Sequence, residues 1–199
     1  GASERGREGA CRAGRGAADI PTLRCGPARA RSAADGVRIR EPRVFGQSGQ
    51  GVWASDVDGE DCLEVANLDG TGEIRRIAQG QIGRVLHIAP APDGKKVALI
   101  SHDGRILIVT IADGAIREVG TSPEGEANGL AWSPDSRYLV WRSPMATGEA
   151  MIGQIRCWDE QGMGESFELT RGPFDDSCPV VTADGKYLAM LSARTFDPN

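Results

Sequence analysis

Ser101, His102 and Asp103 stand side by side and supply the three side-chain types of a hydrolytic triad. The hydroxyl would attack, the imidazole would take its proton, and the carboxylate would orient the imidazole. A triad is made by geometry, however, and its members come from distant positions in a chain. Neighbours on a strand point to opposite faces. The tripeptide therefore reads as a strand end running into a hairpin turn, with His102 the first turn residue. His87, the other of the two histidines, lies in an apolar run and reads as a core or interface residue rather than a ligand.

The carboxylates are no more specific. Asp56, Asp58 and Asp61 form one small acidic group and Asp175–Asp176 another. A calcium loop needs a denser alternation of oxygen ligands ending in a bidentate carboxylate, so both groups read as solvated turn residues. The five cysteines, Cys11, Cys25, Cys62, Cys157 and Cys178, form no C-x-x-C pair. They read as free thiols in a reducing compartment. No glycine-rich phosphate loop is present. The sequence thus assigns no catalytic, cofactor-binding or metal-ligating residue, and no cofactor. Arg75–Arg76 reads as the charged end of an edge strand, where charge discourages edge-to-edge pairing. Trp132, Trp141 and Trp158 lie on strands and read as packing residues.

The elements that carry these residues repeat. Ala91-Pro92-Asp93-Gly94-Lys95-Lys96-Val97-Ala98-Leu99 returns as Ser133-Pro134-Asp135-Ser136-Arg137-Tyr138-Leu139-Val140-Trp141. It returns again as Thr182-Ala183-Asp184-Gly185-Lys186-Tyr187-Leu188-Ala189-Met190. The turn aspartates Asp93, Asp135 and Asp184 are 42 and 49 residues apart. Proline presets φ for such a turn, aspartate bonds its own backbone two residues on, and glycine accepts positive φ. These aspartates are therefore structural. A turn followed by an alternating strand every 40–50 residues or so is the mark of β-propeller blades.

The fold expected is all-β: a partial propeller of about three blades of four-stranded antiparallel sheet, WD40-like or TolB-like. A closed propeller has about four to eight blades. Residues 1–48 are set apart as disordered. Their first 36 residues are rich in Gly, Ala and Arg and lack apolar periodicity. They read like a shifted frame of a GC-rich gene standing where an upstream blade would be. Residues 49–199 divide into an incomplete blade over 51–79 that lacks its innermost strand, blades over 84–121 and 127–171, and an incomplete blade over 174–199. An insertion over 143–152 accounts for the longer second step.

Composition narrows the class. Forty per cent of the 199 residues are hydrophobic, enough for a soluble core. The net charge of −5 argues against nucleic acid or an anionic membrane as partner. No apolar run approaches the ~18 residues of a membrane span, and no signal-peptide pattern opens the chain.

Residues 84–199 resemble the propeller region of the tricorn protease family. The resemblance rests on Gly94 to Arg105, Ser122-Pro123-Glu124-Gly125-Glu126, and Leu130-Ala131-Trp132-Ser133-Pro134-Asp135-Ser136-Arg137. The C-terminal run is the most specific, from Phe174-Asp175-Asp176 to Leu191-Ser192-Ala193-Arg194-Thr195-Phe196-Asp197-Pro198. Residues 51–83 match more loosely and residues 1–48 do not match. The resemblance implies a cytoplasmic serine peptidase that degrades oligopeptides released by larger proteases and assembles into hexamers. It implies a propeller that channels and filters peptides, here the second propeller, on the substrate-admitting side. It also implies that the catalytic serine and its partners lie in a C-terminal region outside this chain. Peptide substrates and the remaining domains of the parent protease are then the expected partners.

Two other readings stay open. A TolB-like or WD40-like propeller would bind a protein partner without enzymatic role. A prolyl-oligopeptidase propeller would require a hydrolase domain with a Gly-x-Ser-x-Gly elbow, which these residues do not contain. In each case terminal blades made alone would expose strand edges and apolar faces, so self-association is expected.

Overall fold

The computed structural model describes residues 38–194, except 47, 125, 149 and 163. Every regular element among them is a strand. The first sheet holds β1 (Ile39–Val44), β2 (Gln50–Ser55), β3 (Cys62–Asn67) and β4 (Arg75–Ile77). The second holds β5 (Val85–Pro90), β6 (Lys96–Ser101), β7 (Arg105–Thr110) and β8 (Ile116–Thr121). The third holds β9 (Asn128–Trp132), β10 (Tyr138–Thr147), β11 (Ala150–Asp159) and β12 (Phe167–Glu168). A two-stranded sheet of β13 (Asp176–Val181) and β14 (Leu188–Ser192) follows. Each sheet is an antiparallel meander in chain order, and its first strand lies at an edge. Those first strands stand against one another in sequence, β1 with β5, β5 with β9, and β9 with β13. This is the expected partial propeller, its innermost strands forming one wall.

The core lies between the sheets, and the period of two in a strand divides it. In β6 and β7, Val97, Leu99, Leu107 and Val109 pack toward the first sheet with Val52, Leu63 and Val65. Ala98, Ile100, Ile106 and Ile108 point the other way and pack with Leu139, Trp141 and Trp158 of the third sheet. A strand buried on both faces must be apolar at every position, which is why residues 97–100 and 106–109 are unbroken hydrophobic runs. Val140, Ile155 and Cys157 begin the next layer, against Val181, Leu188 and Met190. Val180 on β13, Leu191 on β14 and Tyr187 just before β14 remain mostly exposed.

The repeated turns behave as their chemistry requires. Oδ1 of Asp93, Asp135 and Asp184 accepts the N–H two residues on, from Lys95, Arg137 and Lys186, at 2.9–3.1 Å. Gly94 and Gly185 adopt φ of 69° and 71°, and Ser136 adopts 61° in the same place. The residue that opens each turn, Ala91, Ser133 or Thr182, donates its N–H to a carbonyl five residues on. Phe45 does the same to Gln50.

That Phe45 contact identifies a fourth copy of the turn and corrects two expectations. Residues 39–44, placed in the segment expected to be disordered, form a strand, and the first blade does not lack its innermost strand: β1 supplies it. Its sequence, Ile-Arg-Glu-Pro-Arg-Val, carries no apolar alternation because most of the strand is exposed or half-buried. Residues 1–37 lie outside the described residues. The residues expected as an insertion over 143–152 belong, where described, to the strands themselves and the turn between them. They lengthen the hairpin of β10 and β11 to ten residues a side, paired without a break from Tyr138–Asp159 to Thr147–Ala150.

Candidate functional site

The wall of first strands has a recurring irregularity. Between Arg40 and Arg43 two residues of β1 face one of β2. In β5, between Val85 and His87, one residue is likewise unmatched. β9 and β13 carry the same single extra residue, before Ala131 and after Ser177. The four residues standing four before the turn are Glu41, His87, Gly129 and Cys178. Three of them hold positive φ: Glu41 at 52°, Gly129 at 69° and Cys178 at 52°. Such bulges re-aim side chains and bend the strand. Gly129 is also held by contact, because a methyl group there would lie 2.9 Å from Cδ of Pro179 on β13.

His87 joins three sheets on this wall. Its Nδ1 lies 3.9 Å from Glu41 Oε2 on β1, and its Nε2 lies 3.4 Å from Glu126 Oε1, just before β9. The imidazole is therefore an inter-blade residue, half-buried between two carboxylates. Beside it a groove of about 450 Å³ is lined by Arg43, Ala89, Pro92, Leu130 and Trp132. Trp132 donates its Nε1–H to the Ala89 carbonyl at 2.9 Å and meets Trp158 edge-to-face at 6.5 Å. Trp141 and Trp158 are fully buried in the layer between the second and third sheets.

Ser101, His102 and Asp103 do not form a triad. Ser101 Oγ donates to Asp103 Oδ1 and also approaches the Arg105 carbonyl, while Asp103 Oδ2 accepts Arg105 Nε–H at 2.7 Å. His102 is exposed, and its backbone N–H donates to the Arg84 carbonyl at 2.7 Å. The hydroxyl-x-Asp pairing recurs at Ser133–Asp135 and at Thr182–Asp184. In each, the hydroxyl's hydrogen bond holds the carboxyl below its ordinary range. It is a turn staple, and the histidine stands between its ends by position alone.

Two of the acidic residues, Asp61 and Asp176, are less solvated than expected. Asp176 is buried within β13 and pairs with Arg194 at 2.9 Å. Asp175 accepts the Gly153 N–H at 2.7 Å and pairs with Arg142 at 3.0 Å. The Arg142 bond is the main reason its carboxyl is lowered. Asp61 is also buried, bound to Arg40 and to the Val85 N–H. Turn-like sequence around Asp61 and Asp176 gives no sign of their burial. Asp58 and Asp175 are exposed, as expected, and Asp58 accepts Gln79 Nε2–H at 2.7 Å. Arg76 pairs with the buried Glu64 at 3.0 Å, and Arg75 reaches the Ile111 carbonyl of the second sheet. Among the described residues no cluster of His, Cys, Asp and Glu is placed to hold a metal ion. Cys62 and Cys157 are buried, and burial pushes both thiols up to about 11. Cys178 is exposed.

No helix among the described residues is long and apolar enough to cross a membrane. No family model matches the chain. Tricorn protease homolog 1 of Streptomyces coelicolor is 46% identical over 189 residues, covering 92% of this chain. The uncovered 8% is far fewer than 48 residues, so this likeness reaches well into the segment that composition had set apart. The chain spans only 17% of that relative's length. The crystal structure of a tricorn protease superposes on 81% of the chain with a TM-score of 0.72 at 24% identity, over 16% of its own length. TolB from Acinetobacter baumannii superposes on 81% of the chain, and over 39% of its own length, with a TM-score of 0.59 at 18% identity, a likeness of fold alone. Sequence identity across most of the chain and a shared array of propeller sheets agree, and the chain belongs to the tricorn protease family, as a stretch of its propeller region.

Proposed function

We propose that the chain is a non-catalytic part of a peptide channel in a cytoplasmic tricorn-like serine peptidase. The observation that carries this reading is the wall itself. Four first strands stand side by side, edged with bulges and lined by a groove that mixes Arg43 and His87 with Ala89, Leu130 and Trp132. Such a surface suits extended peptides of varied sequence, since it offers apolar contact without a deep selective pocket. The wall would admit unfolded chains and exclude folded ones by width. Cleavage would proceed elsewhere in the parent, by acyl transfer to an activated serine. The remaining domains of that parent would be the partners, in a hexamer.

The test has two arms. The purified chain should not hydrolyse fluorogenic peptides, and turnover that survives repurification would overturn the non-catalytic reading. An unfolded peptide carrying a photo-crosslinker should label the wall strands, and a folded domain carrying the same group should not. Preferential labelling by the folded domain would favour a TolB-like protein-binding propeller instead.

A further inference from the structure

A second cleft, of about 480 Å³, opens at the seam between the first and second sheets. It lies where the β2–β3 turn meets the segment leading into β5, away from the groove on the wall. Four arginines line it: Arg38, Arg40, Arg84 and Arg105. Three carboxylates line it too, so by charge alone the cleft is nearly balanced.

Hydrogen-bonding capacity is not balanced. Asp61 spends one oxygen on Arg40 and the other on the Val85 N–H, at 2.7 Å. Asp56 Oδ1 accepts the backbone N–H of Arg38 at 2.6 Å, and Oδ2 lies 3.9 Å from Arg40 Nη1. Arg105 is turned to Asp103 by its Nε. Glu60 stands at the rim, exposed and beside Gly80. Among the described residues no acceptor is paired with the guanidinium groups of Arg38 and Arg84, and Arg40 Nε is buried without a partner. Three arginines, two at the start of β1 and one before β5, thus present unspent donors to one space, while the inner carboxylates are already committed.

A guanidinium offers a planar fork that matches a carboxylate. The cleft is larger than one small oxyanion requires. Gly59, Gly80 and Gly83 line it without side chains and leave room for flanking backbone. We propose that this seam binds an acidic peptide side chain, its carboxylate held by Arg38 and Arg84 with Arg40 Nε beneath. The proposal does not depend on the channel reading, because this cleft and the groove beside His87 share no lining residue.

Calorimetric titration of the full chain would use a short capped peptide with two central glutamates, its glutamine counterpart, and inorganic phosphate. The glutamate peptide should bind, and the glutamine peptide should not. The Arg38→Gln/Arg84→Gln double variant should weaken binding about tenfold or more. Neither arginine side chain holds another described residue, so the variant should keep its melting temperature, and Arg84→Lys should restore part of the loss. Unchanged affinity in the double variant, equal binding of both peptides, or phosphate binding as tightly as the glutamate peptide would each overturn the proposal.

Discussion

The hydroxyl of Ser136 accepts the backbone N–H of Asp93 at 2.9 Å, joining the turn of one blade to the turn of the next. Ser136 occupies the positive-φ position that glycine fills in the sister turns. A left-handed conformation costs a non-glycine residue about 1–2 kcal/mol, and the inter-blade bond offsets part of that. Ser136→Ala keeps the strain and removes the bond, and should destabilise by about 1–2 kcal/mol. Ser136→Gly relieves the strain while losing the same bond, so its cost should be smaller. Urea denaturation of the two variants checks the order. Alanine costing less than glycine would contradict it.

Gly120 on β8 should tolerate no side chain. A methyl group there would lie 2.8 Å from Cζ2 of the fully buried Trp141. Its φ is not positive, so backbone freedom is not the reason for glycine. Gly120→Ala should cost about 1–3 kcal/mol through overpacking. A near-UV spectrum with unchanged tryptophan bands would show that the indole had not moved.

Stability should fall on acidification. Asp103, Asp135 and Asp184 have carboxyls held below their ordinary range, in each case mainly by a hydroxyl. A lowered folded value stabilises the fold above the unfolded carboxyl value, about 3.9. The gain disappears as pH drops through the folded value. Melting temperature should therefore decline below about pH 4. Ser101→Ala, which removes the hydroxyl beside Asp103, should flatten that decline.

Thiol labelling should separate three of the cysteines. Cys178 is exposed, whereas Cys62 and Cys157 are buried with thiols raised to about 11. Only the thiolate reacts. Peptide mapping after maleimide treatment at pH 8 should find Cys178 modified in the native chain and the other two modified only after denaturation.

What could be foreseen followed from burial. Residues 97–100 and 106–109 are apolar on both faces because sheets cover both, so β6 and β7 are plain in the sequence. The turn aspartates are equally plain, since their bonds are local. β1 is hidden in the sequence because none of its residues is fully buried, so neither face demands apolar side chains. Asp61 and Asp176 were misjudged for the opposite reason. Their partners, Arg40 and Arg194, lie 18 or more residues away within the same blade, and no local pattern announces so distant a pairing. Arg38 and Arg84 carried no signal, because a surplus of donors appears only when the carboxylates around them are seen to be spent.

The extra residue in each first strand has a kinetic meaning. An unbroken strand edge offers a regular ladder of amides and carbonyls on which another backbone can nucleate and stick. Here every such edge is interrupted, each with one residue out of step. An extended backbone brought against this surface finds no continuous register to settle into. In the proposed channel this would leave peptide residence to side-chain contacts rather than to backbone pairing.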